Sequence, residues 1–254
     1  MGNATYNGLQ SVFHKRFGHG LDFQAAYTWS KLEDNLPASE TGFPGGTYGA
    51  GSIQDYDNLR AEWAVASFDT PQYFAFNGIY ELPFGANKRF STSNKAANYI
   101  VGGWQLEGIT YFTSGSPLGV TTAAQNLNNN GGTQRANWNG TNPSKSGKVA
   151  DRLGVGQYFN VSGFTAPGAF TYGNSPRSLS DLRSDAFIDT DLSAIKNTPI
   201  HDQLSWQFRA EAFNLFNHPV FGPPDTTLGD GTTGLVGSTT NNPRQIQLGF
   251  KLLW

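Results

Sequence analysis

The residues whose types and spacing could do chemistry are few, and most stand two apart. Arg209 and Glu211 flank Ala210, Asp189 and Asp191 flank Thr190, and Asp55 and Asp57 flank Tyr56. In extended chain, residues i and i+2 point to the same side, so each pair presents both polar groups to one space. Two carboxylates so placed could offer oxygen ligands to Ca²⁺. Neither Asp pair is followed by the ligand loop of an EF-hand, however, and solvated carboxylates are the simpler reading. His14, His19, His201 and His218 are scattered, which suits turn and loop packing rather than a metal or catalytic set. Gly229-Asp-Gly-Thr-Thr-Gly234 is glycine-rich, but no Lys-Ser/Thr follows to make a phosphate loop. Ser114, in Ser-Gly-Ser, does not match Gly-x-Ser-x-Gly. No catalytic, cofactor-binding or metal-binding residue is therefore assigned, and the chain is expected not to be an enzyme. The absence of cysteine excludes disulfides and thiolate metal sites. A net charge of −2 gives no reason to expect nucleic acid as a partner.

The element that must position Arg209 and Glu211 is clear from its alternation. Leu204, Trp206, Phe208, Ala210 and Ala212 oppose Gln203, Ser205, Gln207, Arg209 and Glu211. Period 2 with one apolar and one wet face is a β-strand. The same rhythm returns in Arg244–Trp254, where Ile246, Leu248, Phe250, Leu252 and Trp254 oppose Gln245, Gln247, Gly249 and Lys251. Eleven residues is about the length of a strand crossing a bilayer at a tilt of roughly 45°. Aromatic residues are favoured at the membrane interface, where Trp254 would sit.

Composition agrees with such strands. Charged residues are 14% of the chain, against about 25% in an ordinary soluble domain. Aromatics are also 14%, and Gly numbers 31 of 254. No run of about 20 apolar residues, as a membrane helix needs, occurs. Seven strands are read: Asn7–Phe17, Leu21–Ser30, Gln72–Leu82, Trp104–Thr113, Ala186–Lys196, Gln203–Phe213 and Arg244–Trp254. Trp104–Thr113 has mixed faces, because Ile109 and Tyr111 fall on the polar parity, and a bulge near Gly108 is expected to reconcile them. Ala61–Phe68 reads as a possible strand extension.

The connections alternate in length. Residues 18–20, 83–102 and 197–202 are the shorter turns, while 31–70, 115–184 and 214–243 are the longer loops. Outer-membrane barrels pair short periplasmic turns with long outer loops. The expectation is therefore an all-β fold: an antiparallel meander of about seven long strands, a partial transmembrane β-barrel with long extracellular loops. The apolar set Leu21, Phe23, Tyr27, Trp29, Phe74, Phe76, Tyr80, Leu204, Trp206, Phe208, Ile246, Leu248, Phe250 and Leu252 is expected to face lipid. Gln24, Thr28, Gln207, Arg209, Glu211, Gln245 and Gln247 are expected to face the lumen. Residues 115–184, polar and rich in Asn and Gly, are expected to be mobile with little regular structure.

Several words then appear in order: Tyr27-Thr-Trp-Ser-Lys31, Glu81-Leu-Pro-Phe-Gly85, Gly102-Gly-Trp-Gln-Leu106, Ser114-Gly-Ser-Pro117, Arg209-Ala-Glu-Ala-Phe-Asn-Leu-Phe-Asn-His-Pro219 and Gly249-Phe-Lys-Leu-Leu-Trp254. With them the chain resembles the C-terminal part of TonB-dependent outer-membrane receptors, above all the Oar-like branch with a carboxypeptidase-regulatory-like domain. The resemblance implies a bacterial outer-membrane location and a role in uptake of a large nutrient. It implies a parent barrel of about 22 strands plugged by an N-terminal domain. The implied partners are outer-membrane lipid, the barrel-assembly machinery, which would read Phe250, Leu252 and Trp254, and a TonB-type energy transducer engaged through the N-terminal part. Residues 1–254 are read as one barrel segment, without plug or signal peptide and not competent alone. Two further readings stand beside it: a small stand-alone outer-membrane pore, and a secreted all-β carbohydrate-binding module.

Overall fold

Alternating strands satisfy their backbone groups by pairing side by side, and the fold is such a sheet, with Leu248 and Phe250 of its greasy face exposed. A computed structural model describes all residues except 1, 19, 36–52, 56, 125, 126, 128–133, 147, 148, 150–155, 202 and 203. The long strands are β1 (Ala4–Gly18), β2 (Leu21–Asp34), β4 (Gln72–Glu81), β5 (Trp104–Thr113), β11 (Phe187–His201), β12 (Leu204–Phe213) and β14 (Gln245–Leu253). Between them lie β3 (Ala64–Val65), the helix α1 (Lys95–Val101) and the short strands β6 (Pro117–Leu118), β7 (Thr121–Thr122), β8 (Asn137–Trp138), β9 (Phe164–Thr165), β10 (Leu179–Arg183) and β13 (Thr227–Leu228).

The seven long strands pair in chain order, β1-β2-β4-β5-β11-β12-β14, every pair antiparallel. This is the expected meander. Among the described residues, β1 pairs only with β2, and β14 only with β12. The register segregates the two faces. One rung runs Leu21, Tyr80, Leu106, Ala194, Ala210, Leu248. The next, on the opposite face, runs Asp22, Ile79, Glu107, Ser193, Glu211, Gln247. Greasy and polar sets therefore lie on opposite sides of the whole sheet.

Two local expectations change. The bulge near Gly108 does not form: Gly78, Gly108 and Leu192 stay in unbroken register. Tyr111 is accommodated on the polar face by stacking on Phe187, with ring centroids 6.3 Å apart, so no kink is needed to turn it. The strand ending at Lys196 instead continues to His201, and Pro199 sits inside β11 opposite Ser205. Proline cannot donate to a ladder, and the register shifts between Pro199 and His201, the kind of irregularity that tolerates it. Ala64 and Val65 do extend the sheet, pairing with Asp34 and Glu33.

The described part of residues 115–184 holds little regular structure, as expected, yet much of it is ordered by packing. Part of this span, including most of the Asn126–Asn130 run, lies outside the described residues. The rest is packed. Leu118, Val120, Ala136, Phe159, Phe164, Leu179 and Leu182 form a buried cluster, flanked by Trp138, Tyr158, Val161 and Leu228. Sparse aliphatic residues suffice because they converge from distant positions and the aromatics interlock: Phe159 and Phe164 meet edge-on at 5.9 Å. The other two long connections join this cap. Strand β13 pairs in parallel with β7, and the Tyr158 amide donates to Gly234 O at 2.6 Å. Because the strands alternate in direction, all three long connections share one end of the sheet and the three shorter ones share the other.

At the shorter-turn end, α1 is capped at both termini. Asn94 Oδ1 accepts from the amides of Ala96 and Ala97. Lys196 Nζ donates to the carbonyls of Tyr99, Ile100 and Gly102 at 2.9, 3.0 and 2.6 Å. Those carbonyls lack helical partners and carry the negative end of the helix dipole. A lysine on the greasy parity of β11 is satisfied in this way.

Candidate functional site

The polar face of the sheet gathers the paired residues. Arg209 Nη2 lies 3.6 Å from Glu107 Oε2 and 3.4 Å from Glu211 Oε1. Gln105 Nε2 donates to Glu107 Oε1 at 3.0 Å, and Ser193 Oγ lies 3.4 Å from Glu211 Oε1. Gln207 Nε2 donates to Asn197 Oδ1 at 2.8 Å. On β14, Gln247 stands opposite Glu211 and Gln245 opposite Phe213. All five polar residues read from the sequence thus share one face. Glu107 is the member that sequence reasoning left out: its polar parity was visible, but β11 stands between it and Arg209 and only the register joins them. One guanidinium against two carboxylates leaves this ladder with an excess negative charge. Half-exposed pairs of this kind add about 0–1 kcal/mol each, so they shape the surface more than they stabilise it.

The Asp pairs do structural work. Asp191 Oδ1 accepts from the Asn214 amide at 2.9 Å, tying the start of the last long connection to β11. Asp189 Oδ1 accepts from the Thr190 amide, and Asp55 Oδ1 from the Asp57 amide, both at 3.0 Å. Among the described residues no group of three His, Asp or Glu side chains could hold a metal ion. His14 lies 3.4 Å from Asp22 across the β1–β2 pair, in the open.

In the terminal strand, Phe250 stands opposite Phe208 and stacks on Trp206 with ring centroids 5.5 Å apart. Leu252 stands opposite Trp206, and Trp254, beyond the strand, is 89% exposed.

A second constellation was not foreseen: three ion pairs inside the loop cap. Arg135 clasps Glu62 through Nη1–Oε2 at 2.8 Å and Nη2–Oε1 at 3.1 Å, with Glu62 fully buried. Burial pulls the Arg135 pKa down, against the opposing pull of the Glu62 carboxylate. Arg183 Nη2 meets Asp69 Oδ2 at 2.7 Å while its Nη1 reaches the carbonyls of Asp69 and Gly115. Arg177, almost wholly buried, pairs with Asp34. Each pair links the 53–71 region or the end of β2 to the 134–183 region. Gln54 completes the lattice: its Nε2 donates to Gly173 O at 3.0 Å, and its Oε1 accepts from the Arg135 amide at 2.8 Å. Gly173 is required there, since a Cβ would stand 1.9 Å from Arg135 O. These partners lie 73 to 143 residues apart in the chain, so no local spacing could announce them.

A meander of seven long antiparallel strands with segregated faces, its three longer connections gathered in a cap at one end, is consistent with an outer-membrane β-barrel domain. The chain matches the family model described as an outer membrane beta barrel domain over residues 1–247, and it belongs to that family. The protein is thus an outer-membrane β-barrel protein, from a family that is typically not enzymatic. No curated protein and no solved structure matches it.

Proposed function

We propose that this chain is the barrel segment of a TonB-dependent transporter that takes up a large nutrient. The observation that carries the reading is the open sheet: among the described residues, the outer strands β1 and β14 each have one neighbour. In hydrocarbon each unpaired backbone group costs several kcal/mol, so a spanning sheet must close. Seven strands in strict chain order with two free edges suit a sector of a larger barrel, completed by further strands. In that barrel the apolar rungs meet lipid, and Gln207, Arg209, Glu211, Gln245 and Gln247 line the lumen. The folded cap faces outward, where a nutrient arrives. The ordered sequence words shared with the Oar-like branch support the TonB-dependent part, and a TonB-type transducer would supply the energy. Phe250, Leu252 and Trp254 serve as the address read by the barrel-assembly machinery.

The test is reconstitution of the 254-residue chain alone. Expected are no compact heat-sensitive species on a gel and no ion conductance in a planar bilayer. A monomer that migrates compactly and conducts would overturn the segment reading in favour of a small stand-alone pore.

A further inference from the structure

The loop cap contains a cavity of about 310 Å³ between the 54–63 segment and the 172–176 segment. Its floor is polar and pre-ordered. Gln54, which is wholly engaged by Gly173 and Arg135, fastens the two segments together. Arg135 and Ser175 both line the space, and each holds a buried polar atom without a partner, Nε and Oγ respectively. The walls carry two exposed aromatic rings, Trp63 at 41% and Tyr172 at 51%. Asp55, Asn58 and Asn174 stand at the rim.

The chemistry of this set selects a ligand. Aromatic faces offer flat apolar area with a polar tip, and carboxylate and amide side chains bond to neighbouring hydroxyls. The charge is wrong for an anion. The Arg135 guanidinium is already clasped by Glu62, and Asp55 adds a second carboxylate to that single cation. We infer that this cavity is a saccharide-binding site for neutral sugars, with Trp63 and Tyr172 as stacking platforms. Binding rests on the proposed outward orientation of the cap but not on transport itself.

Outer-membrane vesicles from cells expressing the whole protein provide the test, with Trp fluorescence as readout. The probes are neutral hexasaccharides of glucose, mannose, galactose and xylose, and a galacturonate hexasaccharide. At least one neutral probe should bind at least tenfold more tightly than the uronate. Trp63→Ala and Tyr172→Ala should each weaken that binding about tenfold, while heat-modifiable migration of the protein stays unchanged. Absence of binding by every neutral probe, or binding that survives the Trp63→Ala/Tyr172→Ala double variant, would overturn the site. Energised whole cells that bind the sugar but take none up would sustain the site and overturn the transporter reading.

Discussion

The sheet and the loop cap of this protein are built by opposite rules. In the sheet, each residue's side is set by parity with its immediate neighbours, and its contacts come from the adjacent strands. In the cap, apolar residues are sparse, and order comes from pairs such as Glu62–Arg135 and Asp34–Arg177 that close over many tens of residues. The sheet's polar pairs are half-exposed and replaceable; the cap's are buried and costly to break. A barrel strand can therefore absorb many substitutions on its polar face, whereas one carboxylate in the cap holds two connections together.

The sharpest way to break this contrast is at Glu62. Glu62→Ala leaves the Arg135 guanidinium buried without its partner, at a cost of about 3–5 kcal/mol. Hydrogen exchange should then show fast amides over 53–71 and 134–176 with the strands unchanged. Replacing both partners, Glu62→Leu with Arg135→Met, should recover most of the loss.

On the sheet, the greasy face is the sensitive one. Phe208→Arg should cost about 2–4 kcal/mol if the residue lies near mid-membrane, read as reduced assembly of a barrel containing this segment. Gln207→Arg, one residue away on the other face, should have little effect in the same assay.

At the shorter-turn end, Lys196→Met removes the three bonds that cap α1. A loss of about 1–2 kcal/mol is expected, confined to the 83–103 connection and visible by limited proteolysis.

The smallest effect concerns acid. The Asp230 carboxyl is held below its usual range, first by its hydrogen bond with the Asp225 carboxyl, and further by the Thr232 amide and the Thr232 and Thr233 hydroxyls, against slight desolvation. A lowered folded pKa stabilises above the unfolded value of about 3.9, and that contribution disappears as pH falls through the folded value. Exchange in the 225–234 turn should quicken below about pH 4, and Asp230→Asn should remove this dependence.

These differences also explain what could be read from the chain. All seven strands, their order and the segregation of Leu248 from Gln247 were legible, because period 2 is a local signal. The shared face of Arg209 and Glu211 was legible for the same reason, and the contact with Glu107 was not, because β11 intervenes. The packing of the cap was not legible: a stretch such as Gln134-Arg-Ala-Asn137 looks like solvated loop until Glu62 and Gln54 are brought to it. Pro199 misled in the other direction, suggesting a turn where a register shift lets the strand run on.

The central claim is that the meander stands in a membrane with Trp206, Phe208 and Ala210 toward lipid and Gln207, Arg209 and Glu211 toward water. The chain has no cysteine, so single replacements from Ser205→Cys to Ala212→Cys can be spin-labelled one at a time in a barrel containing this segment. Collision with oxygen should peak at 206, 208 and 210, and collision with a water-soluble nickel complex at 207, 209 and 211. Equal accessibility along the strand, or the opposite phase, would contradict the assignment of the two faces.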